Sequence, residues 1–94
     1  MLYTVSYTIK NPLNALKVIA ELRNSPAWAH FIDTTWFIAT HEDADTLSAR
    51  LSKHIAKSDA LIVMRVSAEL VAGPDFQGWL PQKAWDWFHQ HRYF

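Results

Sequence analysis

The 94-residue chain contains no cysteine, so neither a disulfide framework nor a thiolate metal site can form, which fits a cytoplasmic protein. Glycine occurs only at Gly73 and Gly78, too sparsely for a glycine-rich phosphate loop. No apolar run approaches the ~20 residues of a membrane span. The chain opens directly on strand pattern, so neither a signal peptide nor a membrane partner is expected. Charge of one sign is missing too: nine basic and nine acidic side chains cancel. That balance argues against a strongly basic nucleic-acid binder, because non-specific affinity comes from neutralising phosphates. A dimer can still gather charge on one face.

What is abundant is apolar and aromatic surface. Half of the residues are hydrophobic and 14% are aromatic, with five tryptophans. A single domain of this size is short of the length at which a monomer buries its surface generously. The excess predicts an oligomer, most simply a two-fold homodimer.

The first strand, Leu2 to Lys10, alternates the large residues Tyr3, Val5, Tyr7 and Ile9 with the small or hydroxylated Thr4, Ser6 and Thr8. That is the period of a strand with one buried face, and its position predicts the centre of a sheet. Asn11-Pro12 then pairs an N-cap with proline at the first helical position. Leu13, Leu16, Ile19 or Ala20, and Leu22 or Arg23 follow helical spacing, with Val18 widening the stripe and Lys17, Glu21 and Arg23 outward. Asn24-Ser25-Pro26 stops that helix. Residues 27–40 read as two strands around a tight turn at Asp33-Thr34-Thr35, in preference to one long strand bent by a bulge there. A second helix carries Leu47, Leu51 and Ile55 inward, with Arg50, Lys53 and Lys57 outward and acids at its start.

Ala60 to Val66 is a nearly continuous apolar run, which predicts a strand buried on both sides or nearly so. Residues 67–72 extend it or add a short edge strand, and Gly73-Pro74-Asp75 form a loop. Pro81 opens a last helix with Ala84, Trp85, Phe88 and Arg92 along one side. The order predicts an α+β, ferredoxin-like βαββαβ sandwich over residues 1–72, with both main helices on one face of the sheet. Residues 73–94 form an aromatic-rich extension ending in a short helix. Such a fold hosts many functions and implies none.

Val5-Ser6-Tyr7-Thr8-Ile9-Lys10, Trp28-Ala29-His30 through Asp33-Thr34-Thr35-Trp36-Phe37-Ile38, and Ile55 with Ser58-Asp59-Ala60-Leu61-Ile62-Val63 resemble the small bacterial and phage proteins of the SinR family. That group in turn resembles the CRISPR-associated second core protein and the VapD ribonucleases. The resemblance covers residues 1 to 66; the tail, Gly78-Trp79-Leu80-Pro81 onward, is similar to the SinR group alone. It implies a ferredoxin-like homodimer and, in some relatives, a metal-dependent nuclease. Those relatives use an aspartate after the tyrosine at the end of the first strand, one from each subunit, to hold Mg²⁺ and activate water. Here the tyrosine is Tyr7 and the next residue is Thr8, whose hydroxyl cannot supply an anionic ligand. The implied module is therefore non-catalytic, with a protein or nucleic acid as partner and no cofactor. A nuclease using Asp33 as a displaced carboxylate, with Mg²⁺, is the alternative, and a small-ligand regulatory domain is the next.

Candidate binding residues cluster at the strand end: Ser6, Tyr7, Thr8 and Lys10, with Asn11 beside them, and Asp33 and Thr35 in the turn. The plainer reading, a hydroxylated solvent face and a side-chain-to-backbone turn bond at Asp33, outweighs the site. Metal binding by histidine is not expected. His89 and His91, two apart, point about 200° from each other on a helix, and His30, His41 and His54 have no ligand spacing. The five acids Glu42, Asp43, Asp45, Glu69 and Asp75 are explained by solvation and helix dipoles. The tail brings Trp79, Trp85, Trp87 and Phe88 as candidate interface residues, since aromatics are enriched at interfaces. A wider intrachain core balances that role evenly.

Overall fold

A computed structural model describes residues 1–66 and 78–91 of the chain. Its elements run β1 (Leu2–Thr8), α1 (Pro12–Arg23), β2 (Ala27–Ile32), β3 (Thr35–Ala39), α2 (Ala44–Ser52), β4 (Ala60–Val66) and α3 (Gln82–His91). The four strands form one antiparallel sheet in the order β2-β3-β1-β4. This is the expected ferredoxin-like α+β fold, with α3 as its C-terminal addition. β1 is central, as its alternation predicts, pairing Val5 with Trp36 on one side and Val63 on the other.

Local chemistry sets the boundaries. The Asn11 side chain accepts from the backbone N–H groups of Leu13 at 2.9 Å and Asn14 at 3.4 Å, closing the orphan donors that start α1. Asp43 does the same for α2, accepting from Thr46 N at 2.8 Å. Residues 33 and 34 turn the chain between β2 and β3, and the register shifts between Ala29 and Ile32.

The sheet has two unlike faces. One carries Tyr3, Val5, Trp36 and Ile38 against Val18 and Leu22 of α1 and Leu47 and Leu51 of α2, all essentially without exposure. The other carries Leu2, Ala29, Phe37 and Ala39, and α3 lays Phe88 across them with Trp85, Trp87 and Leu80 packed around. The Phe37 and Phe88 rings meet edge to face at 4.9 Å, a favoured aromatic geometry.

Four expectations are corrected. β4 is not buried on both sides: among the described residues it is an outer strand, and Ile62 and Met64 are 54% and 53% exposed. An apolar run with one covered and one open face has the same composition as a doubly covered one. Leu13 and Leu16 do not join the buried stripe of α1, being 68% and 62% exposed. The helix turns Val18 and Leu22 to the sheet and Glu21 to α2, which leaves Leu13 on the opposite side. Ile55 lies beyond the end of α2, yet still packs against the core. Arg50 is not outward but half-buried between α1 and the β3–α2 loop, and Glu42 is its partner rather than a solvated acid. The expected edge strand over residues 67–72, the loop at Gly73-Pro74-Asp75 and the place of Arg92 lie outside the described residues.

Candidate functional site

The end of β1 brings together part of the sequence-derived cluster. Ser6, Tyr7 and Thr8 line a shallow depression of about 320 Å³ with Thr34, Ala60, Leu61 and Ile62. Thr35 reaches Ser6 directly, their hydroxyls 3.0 Å apart. This follows from the ladder, which sets Ser6 opposite Thr35 on one side and Ile62 on the other. The Tyr7 hydroxyl accepts from the buried Trp36 indole N–H at 3.2 Å, which fixes both rings.

Lys10 and Asp33 do not line that depression. The Lys10 backbone N–H donates to Asp59 at 3.0 Å, and Ala56 N donates to the other oxygen of the same carboxylate at 3.0 Å. Those two amide bonds hold the Asp59 carboxyl below its ordinary value of 3.8. Asp59 thus serves as the tie between the end of β1 and the start of β4. In the β2–β3 turn, His30 Nε2 donates to the Asp33 carbonyl at 2.8 Å. Among the described residues, no group of three His, Cys, Asp or Glu side chains is placed to hold a metal ion.

A second polar assembly joins the helices. Arg50 donates to Glu42 through Nε at 3.2 Å and Nη2 at 2.9 Å, to Ser25 Oγ at 3.0 Å, and to the Glu21 carbonyl through Nη1. This two-pronged pairing suits the planar guanidinium. The Glu21 carboxylate lies 3.5 Å from Lys53 and 3.6 Å from His54. Burial works to raise the Glu21 carboxyl, but Lys53, His54 and Arg50 together hold it below 4.5. Its partners are Arg50 on α2 and Lys53 and His54 just beyond that helix's end, so this assembly is a clamp between α1 and the α2 region.

Two surface features were not singled out from the sequence. The first is the part of the second sheet face that α3 leaves open. Ile32, Ile62 and Met64 are about half exposed there and Trp79 is fully exposed. Beside it Ile32, Trp79, Leu80, Trp85 and Phe88 border a largely apolar groove of about 190 Å³. Of the candidate interface residues, Phe88 is buried within the chain and Trp85 and Trp87 pack around it, while Trp79 projects. The second is a cluster on the β2 side of α1. The Arg23 guanidinium lies 5.6 Å from the Trp28 ring and 6.0 Å from the Trp36 ring. His30 stacks on Trp36 at 4.1 Å and 12°. The alternation of Trp28 and His30 in β2 was the available signal: two positions apart, both fall on one side of a strand.

No protein-family model and no curated protein matches this chain. Among solved structures, the chain is similar to a hypothetical protein, TT1823, from Thermus thermophilus. The two share 20% identity with a TM-score of 0.63, over 85% of this chain and 93% of that one. At that identity the likeness shows the fold, and the ferredoxin-like assignment rests on it together with the strand order.

Proposed function

We propose that this protein is a non-catalytic homodimeric binding and assembly module, engaging a nucleic acid or a protein through the paired subunits. The observation that carries this reading is the open strip on the second sheet face, where Ile32, Ile62, Met64 and Trp79 are 45%, 54%, 53% and 100% exposed. Ile62 and Met64 are neighbours on one side of β4, while Thr35 and Ser6 separate them from Ile32; exposed apolar side chains grouped on a sheet face mark interaction sites. A second copy is the simplest occupant, because a two-fold interface needs only one patch complementary to itself. Thr8 in place of an acid after Tyr7 supports the non-catalytic part. On this reading the chain is a distant relative of the CRISPR-associated second core protein and the SinR group, without their metal chemistry.

Light scattering at micromolar concentration tests the dimer. The expected mass is twice the 10.9 kDa of the chain, falling to a single chain in an Ile62→Asp, Met64→Asp variant. Both residues point away from the helix-covered core, so the charges are placed without disturbing it. A wild-type chain that runs as a monomer overturns the reading. Removing the tail is a poorer test, because α3 covers Leu2, Phe37 and Ala39 of its own subunit and its loss exposes them.

A further inference from the structure

We propose that the outer side of β2 and the adjoining flank of α1 form a stacking platform for single-stranded nucleic acid, with Trp28 and His30 receiving bases and Arg23 a phosphate. This deepens the binding-module reading by naming the partner, and it uses surface distinct from the proposed dimer strip.

The platform is built on a fixed floor. Trp36 is 1% exposed, and its indole N–H is tied to the Tyr7 hydroxyl. His30 lies flat on that ring at 4.1 Å, and its Nε2–H is held by the Asp33 carbonyl at 2.8 Å, so the imidazole cannot swing. Trp28 leans on Trp36 at 5.3 Å and 49° and remains 39% exposed. Trp28 shares the face of Ile38 and Trp36, but at the edge strand its ring is left partly uncovered. Both outer rings are thus ordered before any ligand arrives, which lowers the entropic cost of binding.

Arg23 supplies the charge. Glu21 points to α2, where it meets Lys53 and His54. Arg23, two residues on and about 200° around the helix, therefore points the other way, over Trp28. Among the described residues no carboxylate pairs with it, and its guanidinium lies over two indole rings. Leu16, seven residues earlier, falls on the same flank and is 62% exposed, continuing the surface with an apolar contact. A planar cation beside exposed π-faces matches alternating phosphate and base. It is also how single strands are bound without sequence readout. A neutral sugar would call for carboxylate or amide side chains beside the rings. A duplex keeps its bases stacked inside and could use only the single cation.

The neutral chain sets the size of the effect. One neutralised phosphate gives a salt slope of roughly −0.7 for a single strand. One lost base–aromatic contact weakens binding by about ten-fold. The experiment is fluorescence anisotropy with labelled twelve-nucleotide oligothymidylate and oligouridylate on the full chain. A duplex of equal length and a proline-rich peptide serve as competitors. Trp28→Ala is expected to weaken single-strand binding about ten-fold, and Arg23→Gln to flatten the salt slope by about 0.7. Lys57→Gln, which removes an equal charge elsewhere, is expected to change affinity less than two-fold. Trp28→Phe, which keeps a ring over Trp36, should retain most of the binding and guards against a folding artefact. No single-strand binding, equal loss from Lys57→Gln, better binding of duplex, or capture of the peptide instead would each overturn the proposal. Repeating the titration on the Ile62→Asp, Met64→Asp variant separates the two readings. A chain that proves monomeric yet binds through Trp28 loses the dimer and keeps the platform, and a dimer that ignores oligonucleotides does the reverse.

Discussion

The two faces of one sheet are finished differently. On the face covered by α1 and α2, Val5, Val18, Leu22, Ile38, Leu47 and Leu51 have no exposure, and the packing opens toward the β2 edge, where Trp28 is 39% exposed. On the other face a single helix covers one half, and the strand register carries Ile62 and Met64 out from under it. Cooperative stability therefore resides mainly between the sheet and α1 and α2. The second face contributes less per residue and leaves apolar surface for contact. The same strands serve both purposes because side chains alternate across a sheet.

The largest expected difference sets Leu47 against Met64. Leu47→Ala should cost about 2–5 kcal/mol, the range for a buried leucine truncated in a closed core. Met64→Ala should change the stability of the isolated subunit by less than about 0.5 kcal/mol, as for exposed positions. Urea unfolding of both variants, at a concentration where only monomer is present, measures the gap; equal costs would erase the distinction between the faces. Phe88→Ala falls between them, at about 3 kcal/mol. It is buried against Phe37, yet the groove beside it lets the site relax and hydrate.

Much of the closed face was legible from sequence because local periodicity and burial coincide there. Tyr3, Val5 and Tyr7 alternate with Thr4 and Ser6, and Asn11-Pro12 and Asp43 state where the helices begin. What was illegible depends on partners far along the chain. Nothing near Arg50 announces that it will meet Ser25 and the Glu21 carbonyl, 25 and 29 residues away. Nor can Ala60–Val66 reveal that it is an outer strand, since covered and open apolar positions are the same residues. At the candidate site the sequence located Ser6, Tyr7 and Thr8 together. It separated Trp28, His30 and Arg23, which belong to two elements joined only by the packing of α1 on β2.

The clamp sharpens the contrast at the next level. Arg50→Ala should cost about 1–3 kcal/mol, because it leaves Glu42 and the Glu21 carbonyl without their charged donor. The figure lies below that for a fully buried pair, since about a quarter of each side chain remains wet. In a domain of this size that lowers the melting temperature by roughly 4–8 °C per kcal/mol. Arg50→Lys should recover only part of the loss, since one ammonium cannot reach Glu42, Ser25 and the Glu21 carbonyl together.

The smallest expected effect is pH dependence, and it too belongs to one face. Among the described residues, the carboxyls held below their ordinary values are Glu21, Asp43 and Asp59. They sit on α1, at the cap of α2, and in the turn that joins α2 to β4; the open strip has none among the described residues. A carboxyl depressed in the folded state adds stability that is complete above its unfolded value, near 4.5 for Glu21 and 3.8 for the two aspartates. That stability is lost as pH falls through the folded value. The melting temperature should therefore hold between pH 7 and 5 as far as these groups go, and decline below about 4.5. Asp59→Asn should lower stability at neutral pH and make the acid decline shallower, because its tie to the Lys10 and Ala56 amides no longer titrates. Met64→Ala should shift neither slope nor midpoint of that decline. If it does, acid loosens the open face as well, and the separation between the closed face and the open face fails at its weakest point.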